Sequence, residues 1–379
     1  MRSTIKIIRY IVGILFIFSG LVKANDPLGL AYKMQEFFEV WAQSGFLPEL
    51  MHGLSDYALA FSLIMITFEI VAGVAVLVGW RMKLISWLLL ILILFFTFLT
   101  AYAYLSGKFR SCGCFGDCIP ITPGVSFLKD VILTVLILVI FMYRKKIKTA
   151  TAPFISVSII VISTLAAVWF QWYVLKHLPV ADCLPFKKGK SIPEGMKIPA
   201  GAVPDSMVVT FVYQKNGETV EFTADSFPDD FDEELYKFDK RYDKLVRKGN
   251  AEPLIKDFLL TTLSGTDTTD AILQNGSLVG LLFVKDKLPE GSWREELKTL
   301  YNSLTQKNIP LYIVSNNVDE VAPHFIDMPG AGMLRCDVVP IKTAARANPT
   351  FYLLHNGTIL NKWSYADLDD ARDALSQLP

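Results

Sequence analysis

The sequence is poor in charge, poor in histidine and free of nucleotide-binding motifs. Only 20% of its 379 residues are charged, and Lys plus Arg equals Asp plus Glu at 37 each. A chain without excess positive charge lacks the electrostatic footprint of nucleic-acid binding. The 4 histidines are scattered, and no Ser-His-Asp order, phosphate loop or dinucleotide-binding glycine pattern occurs. Hydrolase, kinase and nicotinamide-dependent functions therefore have no support.

Apolar residues are abundant instead. They make up 52% of the chain, and the mean hydropathy is +0.38. A helix needs about 20 mainly apolar residues to cross the hydrocarbon core of a bilayer. Five stretches are long enough, at residues 5–24, 56–79, 83–105, 125–143 and 153–175. We therefore predict five membrane spans.

Basic residues indicate the orientation of these spans. They concentrate before the first span, between the second and third, and between the fourth and fifth: Arg2, Lys6, Arg9, Arg81, Lys83, Arg144, Lys145, Lys146 and Lys148. Cytoplasmic loops carry such an excess. We predict a protein of the bacterial inner membrane with a cytoplasmic N-terminus and a periplasmic C-terminal part. The alternative for the first span is a signal peptide cleaved near Val22-Lys23-Ala24, although Lys23 fits that site poorly.

The remaining sequence predicts further elements. Residues 28–54 begin with an amphipathic pattern typical of an interfacial helix. Residues 184–204 are typical of a linker, and Asn216-Gly217 predicts a β-hairpin. From about residue 252, strand and helix patterns alternate and close with a second hairpin, which predicts a mixed sheet with helices on its faces. The predicted parts are a membrane domain (1–150), a fifth helix (151–178), a linker with hairpin (179–249) and an α/β domain (250–379).

Three of the five cysteines, Cys112, Cys114 and Cys118, lie within seven residues in the loop between the third and fourth spans. Disulfides persist in an oxidising periplasm, so redox exchange and a structural disulfide are both open. A disulfide between residues two apart is usually strained and easily reduced, which suits catalysis. Lys108 and Arg110 are expected to lower the pKa of a nearby thiol.

Other roles for the cysteines also stay open. A metal site would need a fourth ligand, for which His52 and Asp117 are the candidates. Cys183, which follows the fifth span, is a candidate partner for the loop cysteines or for another chain, and an unpaired structural thiol is the alternative. Cys336 is expected to be a core residue or a spare thiol.

Two carboxylates fall inside predicted spans: Glu69 in the second, and Asp130 near the start of the fourth beside Lys129. An ionisable residue in lipid is costly, so each is a functional-site hypothesis, and an ion pair that orients the helices is the alternative. If the thiols pass electrons to a quinone, Glu69, Asp117 and Asp130 are the candidates for proton relay. Lys23 is expected to extend toward the outer interface.

The first 150 residues resemble the DoxX/MauE group of small membrane proteins. The likeness rests on Gly13, Phe16, Ser19, Gly20, Lys23, Asp26 and Pro27 in and after the first span, on Glu69 and Gly73 in the second, on Cys112-Gly113-Cys114-Phe115-Gly116, and on Lys129-Asp130. The resemblance implies a four-helix membrane domain, with the fifth span as a tether. It also implies a redox helper in disulfide formation of exported proteins, often working with a thioredoxin-like partner.

Residues 250–379 resemble a membrane-tethered thioredoxin-like domain. The likeness rests on Pro253, Asp257, Phe258 and Gly265 at its start, and on Arg346-Ala347-Asn348-Pro349-Thr350 where such domains carry a cis-proline. The Cys-x-x-Cys expected after the first central strand is absent, since the chain reads Val284-Lys285-Asp286-Lys287-Leu288 there. This domain is therefore not expected to exchange dithiols by itself.

The sequence thus favours a membrane thiol-disulfide redox protein. Its candidate site residues are Cys112, Cys114, Cys118, Asp117, Glu69 and Asp130. The loop cysteines would exchange electrons between a periplasmic partner thiol and a quinone or other membrane carrier, and the C-terminal domain would dock partners. The alternative is a non-enzymatic, membrane-anchored binding module whose cysteines are structural, which the missing Cys-x-x-Cys favours. Metal handling by the three thiols is a third possibility.

Overall fold

The fold is taken from a computed structural model. It describes residues 2–109, 113, 116, 118–149, 152–204, 206–247, 249, 251–285 and 288–377. Within these ranges lie a helical membrane domain, a three-stranded sheet and an α/β domain built on a five-stranded sheet.

Five helices of the described chain are long and apolar enough to cross a membrane, which confirms the predicted spans. They are α1 (Arg2–Ala24), α4 (Ala58–Val78), α5 (Met82–Ser106), α6 (Pro123–Tyr143) and α7 (Pro153–His177). α1 packs along α4, α5 packs along α6, and α1 also contacts α6. α7 packs mainly against α4, where Gln171 Nε2 donates to Thr67 Oγ1 at 2.8 Å.

Glycines bring α1 and α4 together. A Cβ at Gly73 would lie 2.8 Å from the Gly13 carbonyl oxygen, and a Cβ at Gly20 would lie 2.5 Å from Ile70 Cγ1. Small residues let membrane helices approach closely enough for backbone packing. The glycines of the first two spans therefore have a packing role at this helix pair.

Two shorter helices join α1 to α4: α2 (Pro27–Gln43) and α3 (Pro48–Asp56). Asp26 caps α2 by accepting from the Gly29 N–H at 3.0 Å, and Pro27 stands at the first helical position, where its missing N–H costs nothing. α2 buries Leu30 and Phe37, as its amphipathic pattern predicts, and packs against α4.

After α7 comes the short helix α8 (Ile192–Gly195), followed by three strands, β1 (Ser206–Lys215), β2 (Glu218–Thr223) and β3 (Tyr236–Arg247). They form an antiparallel sheet in the order β2-β1-β3. The predicted hairpin at Asn216-Gly217 is confirmed. The third strand, β3, was not predicted.

The α/β domain contains α9 (Thr269–Leu273), β4 (Leu278–Val284), α10 (Trp293–Gln306), β5 (Leu311–Ser315), α11 (Val318–Val321), β6 (Gly332–Arg335), α12 (Val338–Ala344), β7 (Thr350–His355), β8 (Thr358–Ser364) and α13 (Leu368–Ser376). The sheet order is β6-β5-β4-β7-β8. β4, β5 and β6 are parallel, whereas β7 and β8 are antiparallel to their neighbours. The predicted mixed sheet is confirmed, with α9, β6 and α12 as additional elements.

Both faces of β4 are buried. Leu281 and Phe283 point into the core beneath α9 and α12, whereas Leu282 and Val284 point into the core beneath α10 and α13. A strand covered on both faces is expected to be apolar throughout, as this one is. Residues 184–204, expected to be a linker, contribute Phe186 and Ile192 to the first of these cores.

Candidate functional site

The predicted carboxylate Glu69 is buried and paired. Its Oε2 lies 2.7 Å from Lys23 Nζ, and the side chains are 4% and 3% exposed. The Lys23 ammonium also lies 4.6 Å from the centre of the Phe96 ring, within range of a cation–π contact. The expectation that Lys23 extends to the interface is therefore wrong, because the buried Glu69 carboxylate holds it inside the bundle.

The second carboxylate, Asp130, lies nearby on α6. It pairs with Lys129 at 2.9 Å and accepts a hydrogen bond from Thr100 on α5 at 3.1 Å. Both ion pairs line one small void of about 30 Å³, together with Ser19 and Phe96. That volume holds about one water molecule. The structure thus brings the predicted carboxylates Glu69 and Asp130 to the same internal void.

A larger cavity of about 400 Å³ adjoins this void. Helices α2, α4 and α5 form most of its wall, which is almost entirely apolar and rich in aromatic rings. Its polar lining side chains are Lys23, Lys33 and Thr100. A cavity of this size and character suits a flat lipid-soluble molecule with a few polar atoms. Lys23 and Phe96 line both cavities and so connect them.

The cysteine loop reaches this cavity through Gly113, which is one of its lining residues. Gly113 and Gly116 have φ angles of 66° and 57°, a region that favours glycine, and the Gly116 N–H donates to the Gly113 carbonyl at 3.0 Å. A Cβ at Gly113 would lie 3.0 Å from Lys33 Cγ. Cys112, Cys114 and Asp117 lie outside the described residues.

Cys118 forms a disulfide with Cys183, with the two Cα atoms 4.8 Å apart. This is the pairing of Cys183 with a loop cysteine that was one of its predicted alternatives. The bond joins the loop before α6 to the segment after α7. Asn25, at the end of α1, holds the same region: its side chain exchanges two hydrogen bonds of 2.8 Å with the Ala181 backbone. Its Nδ2 lies 4.0 Å from Cys118 Sγ.

The other predicted thiol and histidine candidates lie elsewhere. Cys336 is free and buried in the core of the α/β domain, as expected. Burial raises the pKa of the Cys336 thiol to about 12, so this thiol is a poor nucleophile. His52, the candidate fourth metal ligand, is exposed and lies 4.0 Å from Glu39.

The α/β domain contacts the membrane domain at α2. Arg346 Nε lies 2.8 Å from Asp26 Oδ2, and the two side chains are only 6% and 12% exposed. Tyr32, one and a half turns further along α2, receives a hydrogen bond of 3.3 Å from Lys285 Nζ. The side chains of Arg346 and Lys342 lie over its ring at 5.2 and 5.1 Å. Three cations of the α/β domain thus surround one tyrosine of α2.

These contacts shift two pKa values. Burial, helped by the nearby Arg346, lowers the pKa of Lys285 to about 8. Burial raises the pKa of Tyr32 to about 12, against the opposing effect of Arg346. Lys285 follows β4 directly, and its N–H donates to Asn348 Oδ1 at 2.7 Å. The Asn348–Pro349 peptide bond is cis, as predicted.

The first part of the chain matches a known protein family. Residues 1–143 match the family described as methylamine utilisation protein MauE. Residues 207–248, which cover the three-stranded sheet, match a domain of unknown function, DUF8463. No curated protein and no solved structure matches the chain. The predicted MauE resemblance is therefore confirmed for the membrane domain, whose first four spans fall within the matched residues.

Sequence reasoning missed several residues of this site. Lys23 was noticed but misplaced, although its position inside an apolar helix was a usable signal for a buried partner. Asn25 and Tyr32 gave no local signal, and Arg346 was noticed only as part of the motif before Pro349. Their partners lie 93 to 320 residues away in the sequence. Lys285 could have been found from its place directly after β4.

Proposed function

We propose that this chain is a membrane thiol-disulfide redox protein that couples loop cysteines to a lipid-soluble quinone. The observation that carries the proposal is the cavity of about 400 Å³, whose wall includes Gly113, the residue between Cys112 and Cys114. An apolar, aromatic-lined cavity beside a thiol loop allows electrons to pass between the two. The match of residues 1–143 to the MauE family supports a membrane protein of this kind.

In the proposed reaction, Cys112 and Cys114 are the exchanging pair. Forming their disulfide releases two electrons and two protons, and a quinone that takes up both becomes a quinol. The partner thiol supplies or receives the same two electrons by thiol-disulfide exchange. Cys118 can take part only after its bond to Cys183 is opened by an attacking thiolate.

The buried ion pairs are the proposed proton carriers. Lys23 lines both cavities, and Glu69 and Asp130 line the small void behind it. A water molecule in that void would lie within reach of both carboxylates. Protons released or taken up at the quinone would therefore pass through Lys23 and Glu69, with Asp130 as a second relay group.

The proposed location of this chemistry is the periplasmic face of a bacterial inner membrane. The basic loops at residues 79–83 and 144–149 lie at the end of the bundle opposite Cys118, which supports a periplasmic thiol loop. The strand order, the antiparallel β7–β8 pair and the cis bond before Pro349 support a thioredoxin-like C-terminal domain. Its proposed role is to dock partners near the loop. In the structure, the face of the C-terminal domain that carries Lys285 and Arg346 contacts α2.

The test follows the loop thiols in the purified full-length protein. After mild reduction, a soluble quinone analogue is added, and free thiols are trapped with an alkylating reagent and counted by mass. Wild type should lose two reactive thiols for each molecule of quinol formed. Cys112→Ser and Cys114→Ser should not, whereas Cys336→Ala should behave as wild type. Loop thiols that stay reduced in wild type would refute the proposal.

A second test fills the cavity. Met65 lines it and Ile91 is a lipid-facing residue of α5 that is 61% exposed. Met65→Trp should slow quinone reduction while loop thiols keep their reactivity toward the alkylating reagent. Ile91→Trp, an equally bulky change outside the cavity, should leave both unchanged. Equal rates in the two variants would remove the cavity from the mechanism.

The alternative function is a non-enzymatic binding module. The observation that favours it is Lys285, which stands directly after β4 where a dithiol motif is expected and already contacts α2. On this alternative, both Cys112→Ser and Cys114→Ser keep full cellular function. The thiol-trapping result decides between the redox protein and the binding module, because a binding module neither accepts electrons from a quinol nor gives electrons to a quinone.

A further inference from the structure

A strongly basic pocket lies at the end of the membrane bundle opposite the cysteine loop. It has a volume of about 410 Å³ and is formed by the α4–α5 turn and by the segment between α6 and α7. Four cationic side chains line it: Arg81, Lys83, Arg144 and Lys145. The proposed redox chemistry uses none of them.

The pocket is built by contacts between its two segments. Thr149 Oγ1 donates to the Gly79 carbonyl at 3.3 Å. Gly79, with φ 77°, allows the close approach, because a Cβ there would lie 2.9 Å from the Lys148 carbonyl oxygen. These contacts hold the two segments together, and each segment contributes two cations to the lining of the pocket.

Two of the four cations, Arg81 and Arg144, have aromatic neighbours. Arg144 lies 3.7 Å from the centre of the Phe141 ring, and Arg81 lies 5.3 Å from that of Trp80. Within the part of the chain that the structure describes, no carboxylate forms an ion pair with any of the four. Four positive charges held together without a counterion repel each other, and an anion relieves that repulsion.

Apolar side chains complete the pocket. Met82, Leu84 and Ile147 line it beside the cations. Leu84 and Trp87, one turn deeper along α5, are about half exposed on the lipid-facing surface. A free phosphate makes no favourable contact with such an apolar surface. A phospholipid places its headgroup at the helix ends and its acyl chains along the apolar side chains.

We infer that this pocket binds the phosphate headgroup of an anionic phospholipid, with the acyl chains lying along α5. The inference is independent of the proposed redox function. Basic residues are generally concentrated on one membrane face. Here the binding depends on the cations that line the pocket and not on the basic residues beside it.

The experiment compares charge-matched variants of the full-length protein. Delipidated protein in detergent is titrated with short-chain phosphatidylglycerol or phosphatidylcholine, and bound lipid is counted by native mass spectrometry. Lys83→Gln with Lys145→Gln removes two lining charges. Lys146→Gln with Lys148→Gln removes two charges from the same loop outside the lining. Lys83→Arg with Lys145→Arg keeps the charge and checks that the fold tolerates changes at both positions.

Wild type, the Lys146/Lys148 variant and the arginine variant should prefer phosphatidylglycerol over phosphatidylcholine. The Lys83/Lys145 glutamine variant should bind phosphatidylglycerol about thirtyfold more weakly, since each lysine near a lipid phosphate contributes about fivefold. Equal losses in the two glutamine variants would mean diffuse attraction and overturn the inference. Full displacement of the lipid by millimolar inorganic phosphate would also overturn it, in favour of a phosphate site.

Discussion

Arg346 and Asp26 join two domains across 320 residues of sequence, with Nε and Oδ2 2.8 Å apart and both side chains nearly buried. Asp26 also caps α2, and the opposite side of α2 lines the large cavity through Leu30, Met34 and Phe37. One helix is therefore held by the α/β domain on one side and forms the wall of the cavity on the other. Docking of the α/β domain and the shape of the cavity are linked through α2.

Removing one partner of this ion pair should loosen α2. Breaking a buried pair costs about 3–5 kcal/mol, because the remaining charge is left without a partner. The protein can avoid that cost by opening the contact to water. Arg346→Gln should therefore speed amide hydrogen exchange in the first turns of α2, measured by mass spectrometry.

Two matched changes control this prediction. Asp26→Asn removes the charge but keeps a capping side chain, so it should speed exchange without melting the start of α2. Arg335→Gln removes an exposed arginine that pairs with Asp319 at 3.2 Å, and such pairs contribute about 0–1 kcal/mol. Unchanged exchange of α2 in Arg346→Gln would show that the ion pair does not hold the domains together.

Lys285 should give the protein a characteristic pH dependence. Its pKa is about 8 in the folded protein, below the ordinary value of 10.5, so the unfolded chain binds more protons between these values. Stability should therefore rise with pH from about 8, by about 1 kcal/mol per unit. Above pH 10 the raised pKa of Tyr32 acts in the opposite direction, because the folded tyrosine stays protonated.

The measurement is the melting temperature between pH 8 and 10 for wild type and Lys285→Met. The difference between the two proteins should change steadily in favour of wild type as the pH rises. Lys298→Met, at an exposed lysine 3.7 Å from Asp327, should show no such trend. A pH-independent difference for Lys285→Met would mean that the amine titrates normally.

Replacing glycine with alanine should change stability differently at Gly73, where α1 packs closely against α4, and at Gly53 in α3. Gly73→Ala places a methyl group 2.8 Å from the Gly13 carbonyl oxygen and should destabilise by about 1–3 kcal/mol. A Cβ at Gly53, in α3, meets nothing within 4 Å, so Gly53→Ala should be neutral or stabilise by up to about 1 kcal/mol. Thermal unfolding in detergent measures both, and equal melting temperatures would contradict the packing role of Gly73.

The sequence predicted those parts of the fold that depend on local patterns. Length and apolar content predicted the five spans, and the Asn-Gly turn predicted the β1–β2 hairpin. Alternating apolar segments predicted β4, β5, β7 and β8. It missed β3 because the segment Tyr236–Arg247 is mostly exposed and mixes charged and aromatic residues without the regular apolar–polar alternation that indicates a strand.

The candidate site was predicted only in part, for a physical reason. An ionisable residue in a membrane span signals a functional or structural partner without naming it, so Glu69 and Asp130 were found and their arrangement was not. The Cys118–Cys183 pairing stayed open because spacing alone does not determine connectivity. The Tyr32 contacts depend on docking between domains, about which a local pattern carries no information.

Variants of the Lys23–Glu69 pair distinguish a proton-relay role from a purely structural role of this pair. Glu69→Gln leaves a buried lysine without its counterion and should destabilise by about 3–5 kcal/mol, measured by thermal unfolding. The double variant Lys23→Met with Glu69→Gln removes both charges and should recover most of that stability. Glu36→Gln, at a partly exposed pair with Lys33 on α2, should have little effect on either stability or quinone reduction.

The decisive quantity is the rate of quinone reduction in the stable double variant. If Glu69 carries protons to the cavity, the rate stays low although the fold is restored, because neither methionine nor glutamine exchanges protons. The defect should then shrink as the pH falls, since protons arriving directly from water replace the relay. A double variant that is both stable and fully active would instead assign the pair to helix orientation, which is the alternative that an ion pair inside a membrane span always leaves open.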